Sequence, residues 1–430
     1  MNPSKTAIIY VTPDIERALG AIPGELTVSG HNIGEYFIVA SRNAYAEEIQ
    51  KLYPDHVTLV NALDTIDILK LPEVKSLFSE IAKKKDAHLL VFKNSRPIEE
   101  LAKENNWHLL NPSADLAEKI ENKVTQAEWL GEFASHLPPY QILEVKDIVP
   151  ARDAKEKFEP FILQWAHSHS GDGTVLISTD AQLADLKQKF PARLARTTRF
   201  IKGPTFTVNV SVSSTATYIG NINYQITGTL PFTDNPWSTI GNDWSVPHTI
   251  LTEAQLAAAH QLITDVSEKM SDSGWTGLFG IDFIHDEERD ELRLIEINAR
   301  QAAGVTFESL LQETNRAHGV AGVTMFEAHI LSLLSTISPD AQGALDKKVI
   351  EVNDGAQIIQ RVTAAIMMTG KLPDVIPLIA AGFTCIQYAN TKPNSHILRI
   401  QSDRGIMLAH NKFNARGKEI LDTITGMKSE

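Results

Sequence analysis

The sequence predicts an α/β protein of several domains, and three observations carry that expectation. Short apolar runs alternate with helical patterns over residues 1–110. Further on, strands come in pairs joined by polar turns. The chain has 430 residues, 43% hydrophobic and 22% charged, enough for more than one sizeable core. Its formal charge of −13, from 40 basic and 53 acidic residues, argues against nucleic acid or an anionic membrane as partner. The single cysteine, Cys385, excludes an internal disulfide, a zinc ribbon and a Cys-x-x-Cys pair. It reads as a small buried hydrophobe. The first residues, Met1 to Asp14, lack the charged start and apolar core of a signal peptide. No apolar run approaches the ~20 residues of a membrane helix, so the expectation is a soluble, cytoplasmic protein.

Ala7–Val11, Tyr36–Val39 and His88–Phe92 read as buried strands, and Ala44–Leu52 and Val74–Lys84 have helical spacing. Strands alternating with helices predict a parallel sheet with crossover helices. No Gly-x-Gly-x-x-Gly follows the first strand, so a dinucleotide site there has no support. A helix follows Pro112, and Pro138-Pro139 interrupts it. Phe161–Trp165 and Val175–Ile177 flank the glycine-rich turn His167–Thr174, which makes a hairpin rather than the strand–turn–helix of a Walker loop. Phe206–Val212 alternates apolar and polar residues and reads as a half-buried strand. Residues 229–247 read as a long polar–aromatic loop. In it Trp237, Asn242, Asp243 and Trp244 are either a pinned surface or a substrate wall. Thr252-x-x-Gln255 has capping-box form ahead of a helix. Further helices are expected over 306–316 and 324–337.

The chemistry concentrates in Gly280-Ile281-Asp282-Phe283-Ile284, a charged turn from His285 to Asp290, and Leu292 to Arg300. A hairpin centred on Arg289 sets Ile284 opposite Leu294, Asp282 opposite Glu296 and Gly280 opposite Asn298, all on one face. Opposed side chains lie about 4.5–5.5 Å apart at Cβ, so two carboxylates there need a cation between them. Asn298 adds a third oxygen. Such a donor set suits a hard ion such as Mg²⁺, which keeps waters and substrate phosphates as its other ligands. Arg300 continues the same parity and offers a fork for phosphate or carboxylate. Charges also line ordinary solvated faces, but Asp282 interrupts an apolar strand, where an unpaired charge is costly. His167 and His169 share a face without a third His or Cys ligand nearby, which disfavours zinc.

These residues resemble the closing signature of the ATP-grasp superfamily, a Gly-Val-Asp-Phe strand followed by Glu-x-Asn-x-Arg. Asn111-Pro112-Ser113 with Glu121-Asn122-Lys123 is similar to the helix that carries the family's first nucleotide-binding lysine. Phe161 to Ile177 resembles the small-lobe hairpin whose glycine-rich loop closes over ATP phosphates, and Thr198 to Gly203 resembles the adenine hinge. The likeness spans about residues 110–315. It implies an α/β architecture with α+β lobes: a Rossmann-like domain over 1–112, the small lobe over 113–203, the central lobe over 204–340 and a C-terminal α+β addition over 341–430. It implies ATP and Mg²⁺ (or Mn²⁺) as cofactors, with Asp282, Glu296 and Asn298 on the metal and Arg300 as the catalytic residue. Lys123 would meet phosphate or adenine-side groups, and Gln164, His169, Ser170, Gly171 and Gly173 would meet phosphate. Arg199, Phe200, Ile201, Ile284 and Leu294 would meet the adenine, the hinge through its backbone.

The chain also departs from the family. Gln164 stands where a second lysine is usual, with His169, Lys202 or a second metal left to make up the charge. The acidic residue common near Thr198 is absent, and Phe279-Gly280 replaces an arginine sometimes found there. The implied activity is an ATP-dependent ligase joining a small-molecule carboxylate to an amine through an acyl-phosphate. Activation of bicarbonate is the alternative, though no Met-Lys-Met carrier segment is present. A nucleotide-binding protein without catalysis is favoured by Gln164 and opposed by the intact Asp282–Glu296–Asn298 trio. Residues 341–430 either close the site or build a homodimer.

Overall fold

Thr6–Thr12 is buried along its whole length, as a strand covered on both faces must be. In the computed structural model, which describes residues 6–28, 31–153, 155–166, 173–335, 348–370 and 372–426, it lies mid-sheet between His31–Ser41 and Asp86–Val91. Both neighbours run parallel to it. Val57–Val60 and His108–Leu109 extend the parallel array, and Gly24–Val28 pairs antiparallel with the start of His31–Ser41. The helices Ala44–Leu52 and Pro72–Ala82 stand where helical spacing placed them. Asn43 caps the first by accepting from the Ala46 N–H at 2.9 Å. One sheet face packs Ile9, Val11 and Leu89 on Val74, Phe78 and Ile98. The other packs Ile8, Tyr10 and Ile38 on Phe326 and Ile330 of the helix Met325–Leu334, which fixes this domain against the rest.

A four-stranded antiparallel sheet follows, in the order Tyr140–Glu144, Leu194–Arg199, Phe161–Trp165, Thr174–Ile177. Leu163, Trp165, Ile177 and Ala195 pack with Leu183 of the helix Asp180–Lys189. Alternation then turns Gln164 and Arg196 to the opposite face.

The largest sheet runs Glu291–Asn298, Gly277–Asp286, Thr205–Val212, Asn223–Thr227, Thr239–Asp243, Ala356–Arg361, His396–Ser402, Thr384–Gln387, with Thr217–Ile219 beside Thr205–Val212. Strands from beyond residue 348 thus continue this sheet. One face carries Phe206, Val208, Tyr224, Ile281, Phe283, Ile297, Ile358 and Ile400 against the helix Glu253–Asp272. That helix opens with the expected capping box at Thr252 and Gln255. The other face carries Thr207, Asn209, Gln225, Asn242, Asp282, Asn298 and Gln357.

Two expectations are corrected here. Phe206–Val212 is buried on both faces, not half-buried. Its polar side sits under the helices Val305–Ala317 and Met325–Leu334, where Asn209 donates to Glu308 at 2.5 Å and Ser211 to Ser332 at 3.0 Å. Residues 229–247 are not one long loop, because Thr239–Asp243 is a strand in the middle of the sheet. Its one large apolar residue is Ile240, and its amide face meets other amides: Asn242 donates to Asn223 at 2.7 Å and accepts from Gln357 at 3.1 Å. Asp243 accepts from Ser245 and from the Ile406 and Met407 N–H groups at 2.6 and 2.8 Å, pinning the C-terminal segment. Trp244 is buried against Phe307.

Candidate active site

The hairpin of Gly277–Asp286 and Glu291–Asn298 sets Asp282 opposite Glu296 and Gly280 opposite Asn298. A register shift between Asp282 and Phe283 then leaves Ile295 as an extra residue. Leu294 therefore faces Phe283 and lies wholly in the core, while Ile284 faces Arg293. The expected pairing of Ile284 with Leu294 is overturned, and Leu294 is turned away from any ligand on the carboxylate face. The bulge has no signature in the apolar pattern, since Leu292, Leu294, Ile295 and Ile297 suit either register.

Asp282 accepts from the Thr207 hydroxyl at 2.6 Å and from the Asn298 amide at 3.0 Å. Burial, with the Glu296 charge opposite, pushes its carboxyl up to about 6 against these hydrogen bonds. Burial works the same way on Glu296, but Lys123 overrides it and holds that carboxyl below its usual range. The Lys123 ammonium, 2% exposed, lies 2.6 Å from Glu296 Oε1. Burial lowers the lysine's pKa despite this partner.

Lys123 is placed by the chain around it. Ser113 caps the helix Ala114–Glu121. Asn122 then accepts from the Val124 N–H at 3.0 Å, and the Lys123 N–H donates to the Ala166 carbonyl at 2.9 Å. The turn is thereby tied to the end of Phe161–Trp165. Arg300 donates to Asn298 Oδ1 at 2.8 Å and lies 3.7 Å from Glu121, which also holds Lys93 at 2.8 Å.

Sequence reasoning missed Arg196. It stands directly opposite Gln164, is 2% exposed, and gives two hydrogen bonds to Gln164 Oε1 at 2.8 and 3.2 Å. It also donates to Gln126 Oε1 at 3.0 Å and to the Ile295 carbonyl at 3.3 Å. The four-stranded sheet is so joined to the strand that carries Glu296. The signal available was an arginine inside Leu194–Arg199 at the parity opposite its buried Ala195.

The segment Thr198 to Gly203 crosses close over the hairpin. Arg199 is ion-paired with Asp286 and, at 3.1 Å, with Glu288. The His285 N–H donates to the Pro204 carbonyl at 3.0 Å. Gly203 has φ +152°, and a Cβ there would lie 1.9 Å from the His285 carbonyl oxygen, so only glycine fits. Phe200 packs edge-on to Trp237, Ile201 is 8% exposed, and Lys202 is exposed. The Gly173 carbonyl accepts from the Trp165 N–H at 3.1 Å, whereas His169, Ser170 and Gly171 lie outside the described residues.

Two opposed carboxylates with an adjacent amide oxygen form a donor set that Mg²⁺ fits. Asp282's carboxyl is raised first by burial and then by the Glu296 charge opposite, and among the described residues it has no cation of its own within ion-pair distance. Among the described residues, no group of three His, Cys, Asp or Glu side chains could hold a metal ion, and the Asn298 amide oxygen is engaged by Arg300 while its nitrogen faces Asp282.

No family model and no curated protein matches the sequence. Solved structures do match in fold. N5-carboxyaminoimidazole synthetase from Staphylococcus aureus, complexed with ADP, is 12% identical with a TM-score of 0.62 over 99% of each chain. N5-carboxyaminoimidazole synthase from Aspergillus clavatus, with ADP and 5-aminoimidazole ribonucleotide, is 15% identical with a TM-score of 0.62 over 99% of each chain. Biotin carboxylase from Campylobacter jejuni, as an ATP complex, is 15% identical with a TM-score of 0.56, covering 93% of this chain and 87% of its own. The chain has the ATP-grasp fold.

Proposed function

We propose that the protein is an ATP-dependent ligase that joins a carboxylate to an amine through an acyl-phosphate. The observation that carries this reading is the Asp282–Glu296 pair, set face to face beside Asn298 and ion-paired to Lys123. Mere structure has no need of opposed carboxylates, whose repulsion raises the cost of folding. Asp282, Glu296 and Asn298 would hold Mg²⁺, which supplies charge neutralisation at the phosphoryl oxygens. Lys123 contributes a buried positive charge to the nucleotide phosphates. A substrate carboxylate oxygen attacks the γ-phosphorus, the bond to the bridging oxygen breaks, and ADP leaves. Arg300, held by Asn298 and Glu121, either stabilises the transferring phosphoryl group or orients the acid. The amine nitrogen then attacks the acyl carbon, loses a proton, and phosphate departs.

Bicarbonate in place of an organic acid is the second reading. It is favoured by the names of the similar structures, two carboxyaminoimidazole synthetases and a biotin carboxylase. The test is phosphate release from ATP and Mg²⁺ with a panel of amino acids, small acids and bicarbonate, each with and without amines. Turnover that requires one acid–amine pair supports the ligase; turnover indifferent to every pair sinks it.

A further inference from the structure

Arg196 is a guanidinium buried to 2% exposure whose direct partners are all neutral: the oxygens of Gln164 and Gln126 and the Ile295 carbonyl. Among the described residues, no carboxylate lies within ion-pair distance of it. Glu296, the nearest carboxylate to act on it, is already 2.6 Å from Lys123. Two buried cations thus share one carboxylate at the seam between the small lobe and the carboxylate hairpin. A buried charge without a counter-charge is costly, and this excess stands beside the residues assigned to phosphate.

We propose that Arg196 supplies the nucleotide's phosphates with the positive charge that Gln164 lacks, acting through Gln164 as a positioning residue. The inference rests on the ATP-binding reading above. The two-pronged clasp turns Gln164 Oε1 to the guanidinium, so Gln164 Nε2 is the end left to donate. Among the described residues it has only the 3.4 Å contact to Thr174 Oγ1. That amide N–H, polarised by the cation behind it, donates to a phosphate oxygen. The charge absent from one strand is thus carried by the facing residue of the next.

The experiment measures affinity for ATP, ADP and adenosine by calorimetry. Wild type, Arg196→Gln and the swapped pair Gln164→Lys/Arg196→Gln are compared. A charge-assisted contact implies that Arg196→Gln weakens ATP about tenfold to a hundredfold. Adenosine, which has no phosphate, should bind within about twofold of wild type. The swap, which restores a cation and an amide across the same strand pair, should return ATP affinity to within about threefold. A purely structural Arg196 would move adenosine as much as ATP and would gain nothing from the swap; either result overturns the proposal. Equal ATP affinity in Arg196→Gln and wild type overturns it too, and leaves the ATP reading standing. Wild type that binds no nucleotide overturns both. Should Arg196→Gln not fold, the swap carries the test alone, and an ATP loss beyond about tenfold refutes it.

Discussion

Replacing Asp282 by asparagine should make the protein more stable and less active, and the gain should depend on pH. The carboxyl titrates near about 6 when folded, against a reference value of 3.8. Between those values the folded state holds more protons than the unfolded, so stability falls as pH rises through the window. The gap of roughly two pH units corresponds to about 3 kcal/mol at pH 8. Asparagine keeps one acceptor where the carboxylate had two, for Thr207 and Asn298, and a lost hydrogen bond costs about 1 kcal/mol. The expected net gain is therefore about 2 kcal/mol at pH 8 and about zero near pH 4.5, where most of the linkage has gone. Urea denaturation of wild type and Asp282→Asn at the two pH values measures it. ATP-dependent phosphate release should meanwhile fall at least about a hundredfold, the cost of losing a charged ligand of the metal. No gain at pH 8, or a gain undiminished at pH 4.5, would refute the claim that these opposed carboxylates are held at a cost.

Lys123→Met leaves Glu296 without its 2.6 Å partner. It should lower stability by about 2 kcal/mol in a urea titration, less than for a fully buried pair because Glu296 is partly exposed, and weaken ATP more than tenfold in calorimetry. Gly203→Ala must set a Cβ 1.9 Å from the His285 oxygen at φ +152°. A loss of at least about 2 kcal/mol is expected, read as a lower melting temperature. Asp243→Ala strips the acceptor from the Ile406 and Met407 N–H groups. About 3 kcal/mol should be lost, with faster amide exchange at those two residues than in the first sheet; unchanged exchange there would show the pin to be idle.

What the sequence made legible follows from where side chains alternate and where they do not. The strands of the first domain were readable because a sheet covered on both faces leaves unbroken apolar runs such as Ala7–Val11. The carboxylate hairpin was readable at Asp282 and Glu296 only because a centre at Arg289 matches the register beyond the bulge; counted from the turn itself, Asp282 would face Ile295. It was misread at Leu294 because a bulge shifts register without changing composition. Thr239–Asp243 was missed for a related reason: its outward face is recognised only by amides on neighbouring strands, and those are contributed from residues as far away as Gln357. Arg196 escaped because its meaning lies in a pairing, Gln164 to Arg196, that separates residues by 32 positions.

The whole-chain charge of −13 opposes an anionic ligand only if charge is spread evenly, and here it is not. The carboxylates at the site are Glu121, Asp282 and Glu296, and the cations around them are Lys93, Lys123, Arg196 and Arg300. The cations are in excess before any metal arrives, in a chain whose sum is strongly acidic. Their pairing is also provisional. Lys123 and Glu296 neutralise each other at 2.6 Å, yet their proposed roles require the lysine on phosphate and the carboxylate on Mg²⁺. Both would be met if cation and polyanion entered together: Glu296 would hold Mg²⁺, which would supply the charge that Lys123 now gives it, and Lys123 would be free for phosphate. On that argument ATP and Mg²⁺ each tighten the other by the same factor, as linkage demands of two ligands that break one shared ion pair.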